Sequence, residues 1–191
     1  MRRLNLVEFL SVDGVAQGLA GPDGDFPYPG WGLDYPVDTD EDPAAEPFAA
    51  TTAYLFGRRT FTEMAAFWPG QPAANPMAAS LNSTQKYVVS TTLPDPEWQP
   101  TTVIRSDVEA TVAGLKAARA GDIVVLGSGR LARSLLAAGL VDGFTLYVHP
   151  LLLGAGERLF GELPGLSRLE LDSVRRTGRG SVELRYSLGG A

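Results

Sequence analysis

The sequence predicts an α/β fold in which helices cover both faces of a mostly parallel sheet. Short apolar runs alternate along the chain with stretches that place apolar residues at helical spacing, a pattern typical of parallel β–α units. Two of these runs end in glycine turns that lead directly into a helix, at residues 56–60 and 126–131. The last two runs, residues 166–174 and 181–188, have no helix between them and predict an antiparallel hairpin at one edge.

The first half of the chain begins with a strand and a long loop. The strand covers residues 3–12 and ends at Asp13 and Gly14, and residues 18–47 form a loop rich in glycine, proline and aspartate. A loop of this length inside a compact domain is often functional. A surface loop that its aromatic residues simply anchor to the core explains the same sequence equally well. The next predicted elements are a short helix over residues 44–52, a strand over 52–56 and a helix over 60–67.

The second half continues the alternation of strands and helices. Asp107 is placed to cap a helix that reaches about residue 119, and Gly139 is placed to end the helix after the second glycine turn. The hairpin turn is expected at residues 175–180. Further strands are predicted over residues 86–90, 102–104, 123–126 and 144–148. No composition shift marks a boundary, so a single domain is expected over residues 1–191.

Composition excludes several classes of function. The formal net charge of −6 disfavours nonspecific binding to nucleic acid or to anionic membranes. The absence of cysteine excludes disulfides, thiolate metal sites and a cysteine nucleophile, and a single histidine, His149, excludes a multi-histidine metal centre. The sequence has no apolar stretch of about 20 residues and no signal-peptide pattern, so we expect a cytoplasmic protein.

The segment LGSGRL, residues 126–131, is the most informative motif in the chain. It joins a buried strand to an amphipathic helix through a glycine turn. This arrangement leaves backbone N–H groups and the positive end of the helix dipole pointing beyond the strand, where a phosphate binds well. The turn lacks the third glycine of a dinucleotide fingerprint and the lysine of a Walker loop, so it matches neither standard motif.

Polar groups follow several of the predicted parallel strands. The carboxyl ends of parallel strands share one edge of the sheet, which is where α/β proteins bind ligands. Arginine in such a turn suits phosphate, because its planar fork donates paired hydrogen bonds. The candidate phosphate ligands are Gly57, Arg58, Arg59, Thr60, Ser90, Thr91, Gly127, Ser128 and Gly129.

Four motifs together resemble the dihydrofolate reductase-like superfamily. They are VLGSGRL at residues 125–131, FGRRTF at 56–61, SVDGV at 11–15 and HPLLLGAG at 149–156. The branch they match best is related to the C-terminal reductase domain of bacterial riboflavin biosynthesis proteins. The resemblance covers nearly the whole chain, and it implies a three-layer fold with a mostly parallel central sheet, an antiparallel C-terminal hairpin and a homodimer.

The resemblance also implies NADPH as the cofactor. The turn Gly57, Arg58, Arg59 and Thr60 would hold the phosphates on the adenosine side. Ser90 and Thr91 would meet the 2′-phosphate region. The pyrophosphate would lie against the start of the helix, held by Gly127, Ser128, Gly129, Arg130 and Leu131.

The substrate side has weaker signals. In folate-reducing relatives an acidic residue after the N-terminal loop anchors the pterin, and by position Glu41 or Asp42 would take that role here. An acidic, solvated loop explains the same residues. Trp31 corresponds to a tryptophan near the substrate, or it serves only in packing.

Three further residues are candidates for the pocket. His149 follows a strand end, where it would act as an acid or base or would simply cap the strand. Asp13 and Glu157 are predicted to line the substrate pocket, although an Asp–Gly pair after a strand is usually only a turn.

Three classes of function compete on these grounds. The first is an NADPH-dependent reductase of a small heterocycle, such as a pteridine, a riboflavin-related pyrimidine, or a similar carbonyl or imine. The second is a protein that keeps the nucleotide pocket without turnover. The third binds another phosphorylated ligand, such as a flavin.

Overall fold

The computed structural model describes residues 2–35, 48, 50–118, 121–161 and 165–189. Within that part of the chain it contains four α-helices and one sheet of eight strands. The helices are α1 (Arg58–Phe67), α2 (Pro76–Ser83), α3 (Val108–Ala117) and α4 (Gly129–Ala137). The strands are β1 (Leu4–Ser11), β2 (Thr51–Gly57), β3 (Gln85–Val89), β4 (Thr101–Ile104), β5 (Asp122–Leu126), β6 (Gly143–His149), β7 (Leu169–Arg176) and β8 (Val182–Leu188).

The strand order is β4-β3-β2-β5-β1-β6-β8-β7. The first six strands in that order pair in parallel, and β8 runs antiparallel to both β6 and β7. The predicted α/β fold with an antiparallel C-terminal hairpin is therefore confirmed. Strand β1 lies at the centre between β5 and β6, with Val7 opposite Leu126 and Phe9 opposite Tyr147.

Two apolar cores lie on opposite faces of the sheet, as the three-layer prediction requires. One core joins Leu6 and Leu10 of β1 to Leu131 and Leu135 of α4, and Val112 of α3 packs into it. The other core contains Phe61 of α1 and Leu81 of α2, packed with aromatic residues of the central strands. The alternation of side chains along each strand produces these two faces.

The sequence prediction missed helix α2. Asn75 caps its start by accepting hydrogen bonds from the N–H groups of Met77 and Ala78, and Pro76 occupies the first helical position. The carbonyl groups at its C-terminal end are satisfied by a residue of another element. Nζ of the buried Lys86 on β3 donates to the carbonyl oxygens of Leu81 and Thr84 at 2.9 and 3.0 Å. That second contact is tertiary and leaves no local sequence pattern.

Three predicted boundaries differ from the structure. Strand β7 starts at Leu169 and runs to Arg176, so the hairpin turn is shorter than predicted. Helix α3 ends at Ala117. The predicted helix over residues 44–52 lies mostly outside the described residues, and its last two residues belong to β2. Among the described residues no helix is long and apolar enough to cross a membrane.

Candidate functional site

The two glycine turns meet at the carboxyl edge of the parallel strands. Strands β2 and β5 are neighbours, so the turns that follow them lie side by side. The N–H of Gly57 donates a hydrogen bond to Oγ of Ser128 at 2.9 Å. A Cβ atom on Gly127 would lie 3.3 Å from the methyl carbon of Thr60, and Gly127 has a φ of +62°. Glycine is therefore favoured at this turn by both its backbone conformation and its close packing.

Both helices that follow these turns begin without a side-chain cap. Gly57 is the N-cap of α1 and has no side chain that could serve. Ser128 is the N-cap of α4, but it makes no capping bond to its own helix, because its Oγ accepts from Gly57 instead. The first N–H groups of a helix need an outside acceptor. Two adjacent uncapped helix starts therefore create a strong preference for an anion here.

Two exposed arginines flank the helix starts. Arg58 is the first residue of α1, Arg130 is the second residue of α4, and both are exposed. Arg59 is already engaged, since its Nη1 lies 2.7 Å from a carboxylate oxygen of Asp23 in the long loop. Leu131, also predicted to hold the pyrophosphate, packs its side chain into the core, so only its backbone N–H can serve a ligand.

Ser90 and Thr91 lie at the end of β3, one strand beyond β2. The Oγ of Ser90 accepts hydrogen bonds from the N–H groups of Thr92 and Leu93, so this hydroxyl stabilises its own turn. Thr91 is exposed. The structure thus brings both residues to the same sheet edge as the glycine turns, while their predicted contact with a 2′-phosphate stays a prediction.

His149 lies at the end of β6 in an aromatic environment. Its ring is 2% exposed, and Nδ1 lies 2.8 Å from Oγ of Ser181. The rings of Trp31 and Tyr35 approach it with centroid distances of 5.6 and 5.0 Å, and Phe9 lies parallel to it at 6.1 Å. Burial lowers the pKa of His149 to about 4, so the imidazole is neutral at physiological pH.

Trp31 helps to fasten the long loop. It is buried with Val15 and Phe26, and its Nε1 donates to the carbonyl oxygen of Gln17 at 2.7 Å. The loop is thus held by its own small apolar cluster, as the packing alternative anticipated. The Trp31 ring nevertheless contacts His149 with an interplanar angle of 69°, so the same residue contributes to the aromatic environment of that imidazole.

Asp13 organises two loops. Its carboxylate accepts hydrogen bonds from Oγ of Ser11 and from the N–H groups of Leu153 and Gly154, and these bonds lower its pKa to about 2. Arg158 donates to its carbonyl oxygen at 2.9 Å. These contacts join the turn after β1 to the segment after β6. They give Asp13 a structural role, and its predicted place beside the substrate stays a prediction.

The other predicted carboxylates lie elsewhere. Glu157 is exposed and lines a cavity of about 400 Å³ together with Arg133, Arg158, Phe160 and Gly161. Its backbone pairs with the segment just before the long loop, because its carbonyl oxygen accepts from the N–H of Ala16. Glu41 and Asp42 lie outside the described residues. No cluster of metal-ligating side chains occurs within the part of the chain that the structure describes.

Sequence reasoning missed the neighbours of His149. Tyr147 lies two residues earlier on the same face of β6, its ring stacks on Phe9 at 4.9 Å, and it is 1% exposed. Glu183 of β8 lies opposite Tyr147 and pairs with Arg175 and Arg185. The spacing of two residues from His149 indicated that Tyr147 shares its face, whereas pairing with β8 is visible only in the folded sheet.

An eight-stranded, mostly parallel sheet with paired glycine turns at its carboxyl edge defines an α/β domain with a candidate anion site. A family model for the RibD C-terminal domain matches residues 2–182, and the chain belongs to that family. The resemblance inferred from the four motifs is therefore confirmed, and with it a reductase-like class of the riboflavin-pathway type.

Two relatives from Bacillus subtilis (strain 168) are similar in sequence. The uncharacterized protein YyaP is 28% identical over 139 residues, which cover 71% of this chain and 73% of that protein. The uncharacterized protein YwjB is 31% identical over 85 residues, covering 44% of this chain and 48% of that protein.

Two solved structures share the fold. One is described as "Putative riboflavin biosynthesis protein" from Shewanella sp. PV-4, with a TM-score of 0.72, 17% identity and coverage of 98% of this chain and 99% of that chain. The other is a pyrimidine reductase-like protein from Corynebacterium diphtheriae, with a TM-score of 0.63, 16% identity and coverage of 100% and 93%. At such low identity these structures support the fold alone.

Proposed function

We propose that this protein is an NADPH-dependent reductase of a small heterocycle, of the pteridine or riboflavin-precursor pyrimidine type, or of a similar carbonyl or imine. The observation that carries the proposal is the pair of uncapped helix starts joined by the hydrogen bond from Gly57 to Ser128. A dinucleotide with several phosphates matches two adjacent anion sites better than a ligand with one phosphate does.

The residues present fit the phosphates of NADPH. The N–H groups of Gly129, Arg130 and Leu131 would hold the pyrophosphate at the start of α4, because no side chain of that helix caps them. The turn from Gly57 to Thr60 would hold the phosphates on the adenosine side, with Arg58 and Arg59 as cationic donors. Ser90 and Thr91, one strand further out, would meet the 2′-phosphate region.

The proposed reaction asks little acid–base chemistry of the protein. The bound cofactor supplies a hydride, and the protein has to position it against the acceptor carbon and exclude water. His149 stays neutral near pH 7 and lies at a strand end of the same sheet edge, where it would orient the substrate or pass a proton to it. Glu41 or Asp42 remains the proposed carboxylate anchor.

Arg58 is expected to discriminate NADPH from NADH. Among the described residues its guanidinium has no ion-pair partner, whereas Arg59 is held by Asp23. Arg58→Ala should weaken NADPH binding by about 10- to 100-fold, as expected for loss of a charge-assisted hydrogen bond, with little change for NADH. Titration of the two cofactors, followed by fluorescence, measures both affinities.

A matched control is Arg168→Ala, which removes an exposed arginine just before β7. That variant should bind both cofactors as the unmodified protein does. An equal loss for NADPH and NADH on Arg58→Ala would show that this residue does not read the 2′-phosphate. Tight NADPH binding without NADPH oxidation, across a broad panel of heterocycles, would favour a protein that binds the nucleotide without turnover. If a flavin displaces NADPH in competition, a protein that binds another phosphorylated ligand would be favoured instead.

We also propose that the protein is a homodimer that associates through β7. This strand is at the edge of the sheet, and its apolar residues Leu169, Leu171 and Val174 are 40%, 56% and 61% exposed. An exposed apolar edge strand favours pairing with another chain. Acidic residues lie in the first half of β7 and arginines in the second, so two antiparallel copies related by a two-fold axis place opposite charges together.

Leu171→Lys is therefore expected to convert the dimer to a monomer, because it replaces an apolar contact with a cation that lies towards the arginine half of the other copy. Light scattering coupled to gel filtration measures the mass directly. Phe67→Lys is the matched control, since Phe67 on α1 is also 56% exposed but lies far from β7 in the strand order. A dimer that survives Leu171→Lys at micromolar concentration would rule out the β7 contact.

A further inference from the structure

The first part of the long loop, residues 18–31, forms a strap whose base is fixed beside the ends of β1 and β6. Its side chains Phe26 and Trp31 are buried in a small apolar cluster with residues that follow those two strands. Gln17, at the base of the strap, accepts a hydrogen bond at its side-chain oxygen from the N–H of Glu157 at 2.9 Å. The base of the strap is therefore held by contacts that need no ligand.

The tip of the strap is joined to α1 by an ion pair. Oδ1 of Asp23 lies 2.7 Å from Nη1 of Arg59, which is in the first turn of α1. Among the described residues this is the only hydrogen bond or ion pair between the strap and α1. The carbonyl oxygen of Asp23 accepts hydrogen bonds from the N–H of Phe26 and from Nε2 of Gln17, both at 3.2 Å. The strap itself therefore presents Asp23 to Arg59.

The strap crosses the sheet edge that carries the two glycine turns. Strand β5 lies between β1 and β2 in the sheet, and it leads into the second glycine turn. A segment that is fixed beside β1 and β6 and also contacts α1, the helix after β2, has to pass the end of β5. The ion pair at the tip of the strap is thus made at one of the two uncapped helix starts that form the candidate anion site.

Carboxylates of the chain already occupy the surroundings of Arg59. The Asp23 side chain is 17% exposed, whereas the Arg59 side chain is 63% exposed, so a ligand in solvent can still reach the guanidinium. Glu63 lies one turn further along α1, where partial burial and the carboxylate of Asp23 raise its pKa while Arg59 lowers it. One guanidinium therefore faces two carboxylates, and an incoming phosphate has to compete with them.

We propose that Asp23 is an internal competitor that determines how tightly Arg59 binds the phosphate of a ligand. In the free protein the carboxylate of Asp23 pairs with the guanidinium. When a phosphate group binds at the start of α1, Arg59 exchanges Asp23 for the phosphate and the tip of the strap is released. Asp23 thereby lowers the affinity for the ligand and couples phosphate binding to release of the strap. The inference rests on the proposed function for the identity of the ligand as NADPH, whereas the exchange itself requires only a phosphate.

Asp23→Asn is expected to tighten the binding of NADPH and of inorganic pyrophosphate by about 2- to 5-fold, because the variant removes an ion pair that the phosphate otherwise has to break. Calorimetric titration at constant ionic strength measures both affinities. Asp25→Asn is the matched control, since it makes the same charge change at an exposed position two residues along the strap. Unchanged or weaker binding to Asp23→Asn, or an equal gain for Asp25→Asn, would overturn the proposal.

Arg59→Ala tests the exchange from the other partner. In the unmodified protein the loss of affinity should be small, because Arg59 gives up Asp23 when it binds the phosphate. In the Asp23→Asn background the same substitution should cost about 2- to 5-fold more, since no ion pair is broken there. Equal losses in the two backgrounds would show that Asp23 and the phosphate do not compete for Arg59.

Hydrogen exchange followed by mass spectrometry reports on the strap without any turnover. Saturating pyrophosphate should speed amide exchange in peptides from residues 18–31 of the unmodified protein, towards the rate of ligand-free Asp23→Asn. It should have little further effect on that variant. Slower exchange in the unmodified protein on pyrophosphate binding would show that the strap stays on Arg59 and would reject its release.

The exchange of partners and the proposed function fail in different ways. If NADPH does not bind but pyrophosphate binds more tightly to Asp23→Asn, the exchange stands and the reductase proposal falls. If NADPH binds and is discriminated by Arg58 while Asp23→Asn changes no affinity, the cofactor proposal stands and the exchange falls. Binding of neither ligand at millimolar concentration would overturn both.

Discussion

Glu8→Gln is expected to raise the free energy of unfolding at pH 8 by about 4 kcal/mol. Burial raises the pKa of Glu8 from its ordinary 4.5 to about 8. Each pH unit between these values costs about 1.4 kcal/mol of stability, because the unfolded chain gives up the proton and the folded chain keeps it. Glutamine has nearly the same shape and no proton to lose, so the variant escapes this cost.

The environment of Glu8 explains the shift. Its side chain points to the same face of β1 as Leu6 and Leu10, which belong to the core beneath α4. The residue is 4% exposed, and a long hydrogen bond of 3.3 Å from the N–H of Phe9 offers little compensation. Within the described residues Glu8 has no cationic partner. A carboxyl group in such surroundings remains protonated well above its ordinary pKa.

Two of the buried titratable groups, Glu8 and His149, have opposite effects on the free energy of unfolding as the pH changes. Glu8 binds its proton more tightly when folded, so its contribution to stability falls as the pH rises from 4.5 to 8. His149 binds its proton less tightly when folded, so its contribution rises with pH between about 4 and 6.5. Between about pH 4.5 and 6.5 the contributions of Glu8 and His149 change in opposite directions and partly cancel. The unmodified protein should therefore lose stability most clearly between pH 6.5 and 8, where only the contribution of Glu8 still changes.

Urea unfolding at pH 5, 6.5 and 8 measures these effects. The gain from Glu8→Gln should be small at pH 5 and should grow steadily to pH 8. Glu109→Gln, at an exposed position on α3, is the control and should change stability by less than about 0.5 kcal/mol at every pH. A gain that does not depend on pH would contradict a raised pKa at Glu8.

Glu183→Gln is expected to destabilise the fold by about 3 kcal/mol at pH 7. Glu183 is 2% exposed and its carboxylate lies 3.0 Å from Arg175 and 2.7 Å from Arg185, whose side chains are only about a third exposed. Removing one member of a buried ionic group usually costs about 3–5 kcal/mol, because the opposite charges lose their partner inside the protein. Glutamine keeps one acceptor oxygen, which places the estimate at the lower end.

A double-mutant cycle tests that reason. Arg175→Gln combined with Glu183→Gln should cost clearly less than the sum of the two single variants, because the pair is removed together. Glu109→Gln at its exposed position on α3 again serves as the control and should change the urea midpoint little. Additive losses, or a loss below about 1 kcal/mol for Glu183→Gln, would show that the ionic contacts contribute little to stability.

The two glycine turns were predictable from the local sequence. A turn between a buried strand and an amphipathic helix has to present backbone N–H groups at the strand end, so the neighbourhood of Gly57 and Gly127 was predictable from spacing alone. The same holds for the sheet class, because alternating strand and helix patterns admit few arrangements. Helix α2 was predictable in this way only at its start, which Asn75 and Pro76 mark locally, whereas its end depends on hydrogen bonds from Lys86 of β3.

The candidate site was predictable only in part. Local pattern indicated the candidate phosphate ligands, because backbone N–H groups at a helix start do not depend on distant partners. The roles of individual side chains, by contrast, depend on partners that are distant in the sequence. Arg59 is engaged by Asp23, Asp13 is bound by the loop after β6, and the hydroxyl of Ser128 is used by Gly57.

The sequence by itself determined the α/β class, the hairpin and the two turns that suit phosphate, because each follows from periodicity or turn chemistry within about ten residues. Only the tertiary structure decided that Tyr147 and His149 share a buried aromatic environment and that Glu8 lacks a charged partner among the described residues. Burial and pairing depend on strands that are distant in the chain. The protonation states that follow are therefore properties of the assembled sheet.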